Sequence, residues 1–168
     1  ERISFQPFAT NTNIFYENKK IMKKEKIVFL GSDYNFEKNT GITKECINDI
    51  IYHIDANILT KENVRILAIK HNFNPEYFDT FIIVSMVRRR IIEWLCTLKN
   101  IEIEVYGTEL WKENHIVAPF YKGLLPYGEE MAKVYNESKY AIAVHPHYRY
   151  QQRIMEISSC GTIPIVYK

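Results

Sequence analysis

The stretch AIAVHPHYRYQQRIMEISSCGTIPIVY, Ala141 to Tyr167, decides the fold. Its first four residues, Ala141-Ile142-Ala143-Val144, are apolar without alternation, the pattern of a parallel strand covered on both faces. His145-Pro146-His147 ends that strand, because proline lacks an N–H and restricts the residue before it. Polar residues continue to Gln151 and Gln152. A short helix then runs to Gly161, a residue type that readily takes the left-handed conformation closing many helices. Ile163-Pro164-Ile165-Val166 reads as the next strand, with its proline near the start, where one is tolerated. In a strand–loop–helix–strand unit of an open α/β sheet, the loop and the first helical turn border the ligand crevice. Arg153 and Glu156 are three apart and share one face of that turn. A cation and an acid beside free helical N–H groups suit a phosphorylated, hydroxyl-bearing ligand.

Outward from this stretch, three more strands are legible. Ile27 to Leu30 form the first, turned by Gly31-Ser32-Asp33, where a glycine lets backbone N–H groups approach a phosphate. Ile101 to Tyr106 alternate Ile-Glu-Ile-Glu-Val, a less buried strand turned by Gly107. Val117 to Tyr121 read as a short strand ending at Gly123, and Met131, Val134 and Tyr135 mark the helix that follows. Helices fill the interval between the first two strands. Ile47, Ile50, Ile51, Ile54 and Ile58 recur at helical spacing. Thr60 caps a second helix, and Asn74-Pro75 opens a third. That third helix carries Phe78, Phe81, Ile82, Trp94, Leu95 and Leu98, with Arg88-Arg89-Arg90 in its middle. The expected fold is a doubly wound parallel sheet, order 3-2-1-4-5, with helices on both faces. In that order Gly31, Ser32, His145, Arg149, Tyr150, Arg153 and Glu156 surround one crevice at the topological switch point.

The pattern R-x-x-E-x-x-x-x-G-x-x-P, carried by Arg153, Glu156, Gly161 and Pro164, resembles the nucleotide-sugar half of GT-B glycosyltransferases, and most nearly the bacterial spore-maturation (CgeB-like) group. Val105-Tyr106-Gly107, Gly123 and Ser138-Lys139-Tyr140 follow that family's order. The opening Phe5-Gln6-Pro7-Phe8-Ala9-Thr10-Asn11, followed by Ile27 to Ser32, looks like its interdomain linker and first strand. The resemblance implies a Rossmann-like donor-binding domain at residues 26–168, preceded by a linker at 1–25 and interrupted by a helical insertion at about 43–87. It also implies a missing N-terminal GT-B domain, and a chain that continues past residue 168 and is inactive alone. The implied activity is transfer of a sugar, of the hexosyl kind, from a nucleoside-diphosphate sugar to an acceptor that is a glycan, a protein or a small molecule. By the same resemblance Glu156 accepts the ribose hydroxyls, as a carboxylate can from vicinal donors. Arg153 reads as a cation for the diphosphate or as an i,i+3 partner of Glu156, or both, Tyr121 as a base neighbour or as a core or surface tyrosine, and Gly107 is counted with the substrate-binding residues. An arginine at the head of the helix before the second strand is also expected, left open among Arg88, Arg89 and Arg90, with a solvated face for at least two of them. Many retaining members carry a glutamate eight positions before the ribose-binding one. Tyr148 stands there here, so retention versus inversion stays open and no catalytic residue is assigned.

Composition excludes several classes. With 46% hydrophobic and 25% charged residues, the 168-residue chain can bury a core. A formal net charge of +2 argues against a nucleic-acid partner. No apolar run reaches the ~20 residues of a membrane span, so a cytoplasmic protein is expected, at most peripheral to the inner membrane face. Cys46, Cys96 and Cys160 lack metal or redox spacing and read as buried thiols. Lys19, Lys20, Lys23, Lys24 and Lys26 read as a solvated linker or as a phosphate or membrane patch. His145 and His147 lack supporting ligands for a metal; His145 reads instead as a donor to phosphate or sugar, or as a loop histidine bonded to backbone. No cofactor beyond the donor substrate is called for. The competing class is a non-catalytic nucleotide-binding or regulatory module of related fold. A phosphoacceptor domain would need clustered acids after the first strand, where only Asp33 stands.

Overall fold

The computed structural model describes residues 10–34, 40–144 and 152–166. Its strands are β1 (Lys24–Leu30), β2 (Glu102–Tyr106), β3 (Tyr121–Gly123), β4 (Ser138–Ala143) and β5 (Ile163–Val166). They form one parallel sheet in the order β3-β2-β1-β4-β5, as the sequence predicts. The helices are α1 (Lys44–Asp55), α2 (Lys61–Lys70), α3 (Pro75–Tyr77), α4 (Val84–Cys96), α5 (Glu129–Asn136) and α6 (Gln152–Ser159). A π-helical segment, Phe78–Ile83, joins α3 to α4.

Strand alternation divides the core. Ile27, Phe29, Ile103, Val105, Ile142 and Val144 pack with Ile92, Leu95 and Cys96 of α4 and with Trp111 and Val117. On the other face Val28, Leu30, Ala141 and Ala143 meet α5, Ile157 and Cys160. A third cluster lies off the sheet. Cys46, Ile50 and Ile54 of α1 and Val64, Leu67 and Ala68 of α2 pack on Phe78, Ile82, Ile83, Met86 and Val87. Partly buried Ile91 packs against both this cluster and the α4 face of the sheet, so α4 links the two. The expected caps form: Thr60 and Asn74 side chains accept from the N–H groups of Asn63 and Tyr77, and Thr43, not singled out in the sequence, caps α1 by accepting from Cys46 N–H. The helix α1 stops short of Ile58 because Asn57 turns into the left-handed region at φ 54.

Other local expectations change. Residues Ala118–Phe120 form a 3-10 turn and β3 begins only at Tyr121. Pro119 sits inside that turn, where its missing N–H costs no ladder bond. The lysine run is not uniformly solvated either. Lys26 lies within β1, is 3% exposed, and pairs with Glu104 at 2.7 Å. Lys23 Nζ donates to the carbonyls of Asn136 and Cys160 at 3.2 and 2.9 Å, a cation at the C-terminal ends of α5 and α6. Its desolvation lowers its pKa. The residues before β1 are also packed down. Phe15 is fully buried, and Asn136 donates to the Tyr16 carbonyl while accepting from Asn18 N–H.

A candidate nucleotide crevice at the switch point

Because all strands run the same way, their C-terminal ends share one edge. Glycine follows β1 and β2 there and ends β3. Gly31 N–H donates to the Tyr106 carbonyl at 2.9 Å, and Gly107 N–H to the Gly123 carbonyl at 3.0 Å. A Cβ on Gly107 would stand 2.1 Å from the Gly31 oxygen, so only glycine fits where the two turns touch. Trp111 Nε1 donates to that same Gly31 oxygen at 2.8 Å and stacks edge-on against Phe29. The β1 turn is thus held from below.

Two cavities flank Gly31 and Ser32. One, about 180 Å³, is lined by Leu30, Tyr106, Leu124, Leu125 and Met131 with Gly107 and Arg153. The other, about 230 Å³, lies across the switch point between β1 and β4 and is lined by Tyr34, Arg88, Val144 and Arg153. Gly31, Ser32 and Arg153 border both.

The structure separates the three arginines. Arg88 points into the crevice. Its guanidinium donates to the carbonyls of Ser32 and Val144, both at 3.4 Å, and lies 4.7 Å from the centre of the Tyr34 ring. These are long contacts, and among the described residues its buried Nε has no hydrogen-bond partner. Arg89 instead grips buried Asp33 through two nitrogens at 3.0–3.3 Å. Arg90 turns outward to Asp55 and Glu93. None of the three is merely solvated. Sequence reasoning left Arg88 unresolved because helical spacing alone does not say which of three adjacent residues faces the sheet edge.

Arg153 and Glu156 sit on one face of α6 and pair at 3.1 Å. Glu156 is 1% exposed; its Oε1 accepts from Tyr127 Oη at 2.8 Å and from Gln152 Nε2 at 2.9 Å. Arg153 also reaches the Tyr135 hydroxyl at 3.4 Å. Burial, then the bond to Glu156, raises the Tyr127 pKa, and burial raises that of Tyr135. Tyr34 and Tyr127 carried no signal among twelve tyrosines; only packing distinguishes them. Tyr121 packs beside the β2 core and donates to the Gly107 carbonyl at 2.9 Å, supporting the turn from behind. His145, Arg149 and Tyr150 lie outside the described residues. Among the described residues no group of three or more His, Cys, Asp or Glu is placed to hold a metal ion, and no helix is long and apolar enough to cross a membrane.

Residues 88–168 match the glycosyl transferase-like family. The matched segment opens at the crevice arginine, Arg88, and takes in β2 through β5, with Arg153 and Glu156. Gly31, Ser32 and the α1–α2 cluster precede it. No curated protein matches the chain, and no solved structure does.

Proposed function

We propose that the crevice binds the nucleoside-diphosphate sugar donor of a glycosyl transfer, as one half of a GT-B enzyme of the CgeB-like kind. The observation that carries this reading is Arg88. Among the described residues this cation has a buried N–H without a partner, long contacts to two strand-end carbonyls and the Tyr34 ring beside it, and so is poorly satisfied by them. An anionic oxygen beside Gly31 and Ser32 would complete it. Arg153 borders the same space, so a diphosphate there would meet two guanidinium groups. The cavity beside Leu124, Leu125 and Tyr106 suits the base, and Glu156, which lines neither cavity but pairs with Arg153 at their border, takes the ribose by the resemblance to GT-B enzymes.

In this role Arg88 and Arg153 stabilise the charge that grows on the diphosphate as the sugar departs, a task preorganised cations perform without reorganisation cost. The acceptor and the residue that takes its proton belong to a second domain, and closure of the two halves completes the site. The 168-residue chain should therefore bind nucleotide without turning it over. Titration with UDP, GDP, ADP, CMP and dTDP, followed by calorimetry and by tryptophan fluorescence, tests the reading. One nucleoside diphosphate should bind more tightly than its nucleoside; failure of all five to bind would overturn the assignment.

A further inference from the structure

The carboxylate that the proposed ribose would use already holds a hydroxyl. Tyr127 Oη and Gln152 Nε2 both donate to Glu156 Oε1, and Arg153 donates to Oε2. With Glu156 1% exposed, little of that carboxylate faces open water. Tyr127 lies on the short loop between β3 and α5 and is 58% exposed, so its hydroxyl can leave without opening the core. Its ring rests against Phe15, with centroids 5.5 Å apart. A phenol donating to a carboxylate offers the same bond that a sugar hydroxyl would.

We propose that Tyr127 is a specificity-determining residue that stands in for a ribose hydroxyl on Glu156 and is displaced by a nucleotide carrying free hydroxyls. This rests on reading the crevice as a nucleotide site and adds a competitor to it. A ribonucleotide must break the Tyr127–Glu156 bond before making its own. A nucleotide without ribose hydroxyls has no bond to offer Glu156 and leaves Tyr127 in place. Tyr127 therefore lowers affinity for the ribonucleotide alone. A residue that simply contacts the ligand would have the opposite effect.

The test is calorimetric titration of wild type and Tyr127→Phe with UDP, GDP and ADP and with the 2′,3′-dideoxy form of each, with thermal melts beside it. The ring and its packing on Phe15 survive this change. Whichever ribonucleotide binds wild type should bind Tyr127→Phe more tightly, by about two- to tenfold, the worth of one net hydrogen bond. Its dideoxy form should bind both proteins equally. If wild type binds but Tyr127→Phe binds no better, displacement is refuted and the nucleotide reading stands. Equal tightening of both ligand forms refutes it as well. If neither protein binds any of the six nucleotides, this inference falls, and if wild type binds neither CMP nor dTDP as well, the nucleotide reading falls with it.

Discussion

Replacing Arg88 by glutamine should separate ligand binding from folding. In the native protein the side chain contributes little to stability. Its bonds to Ser32 and Val144 are 3.4 Å long, and its buried Nε has no partner among the described residues. An unsatisfied buried donor costs about 1–3 kcal/mol, which offsets what the long contacts and the Tyr34 ring provide. The melting temperature of Arg88→Gln should therefore hold or rise slightly. Diphosphate binding should suffer: a hydrogen bond to a charged group is worth ~1.5–3 kcal/mol, or roughly ten- to 150-fold in affinity. The corresponding nucleoside should lose at most about twofold, because nothing charged faces Arg88 in its complex. Arg89→Gln supplies the contrast. Arg89 is bound to Asp33, whose side chain is 4% exposed. Breaking a buried pair costs about 3–5 kcal/mol, a fall of roughly 6–20 °C in a protein of this size. Calorimetry and thermal melts on both variants decide the matter. If Arg88→Gln melts as low as Arg89→Gln and keeps full diphosphate affinity, Arg88 is a strut and the crevice argument is refuted.

Glu156→Gln should weaken ribonucleotide binding by roughly ten- to 150-fold, measured by calorimetry, while circular dichroism at 20 °C stays unchanged. Gly107→Ala would set a methyl 2.1 Å from the Gly31 oxygen and also strain a backbone at φ 154; urea unfolding should show a loss of at least about 2 kcal/mol. Cys46, Cys96 and Cys160 are buried, and desolvation raises their pKa from 9.0 to about 11. Each holds its proton longer in the folded state, so this contribution to stability is complete below pH 9 and is lost as pH rises toward 11. Chemical denaturation midpoints measured from pH 7 to 11 should stay level to about pH 9 and then fall, and thiol reagents at pH 8 should label the protein only after unfolding.

The sheet was legible because its cause is local. Two-faced apolar strands, glycines at three strand ends, caps at Thr60 and Asn74, and a left-handed Gly161 each follow from the chemistry of a few neighbouring residues. Taken as a doubly wound fold, they are consistent with the order 3-2-1-4-5 that the structure has. Arg153 and Glu156 were legible for the same reason, since i,i+3 spacing places them on one helix face before any tertiary contact forms. What tertiary structure decided is which side chains meet across the sheet edge. Arg88, Arg89 and Arg90 are indistinguishable as a run. Only the packing of α4 against the sheet on one side and the α1–α2 cluster on the other sends the first to the switch point, the second to Asp33 and the third to Asp55. Lys26 looked like part of a solvated run until β2 brought Glu104 beside it, 78 positions away. Tyr127 acquires its meaning only from Glu156, 29 positions on, because the loop after β3 is laid over α6 by the fold and by nothing in its own sequence. Local conformation is encoded in short-range sterics and hydrogen bonding. The partner of a charged or hydroxyl-bearing side chain depends on chain geometry summed over the whole domain.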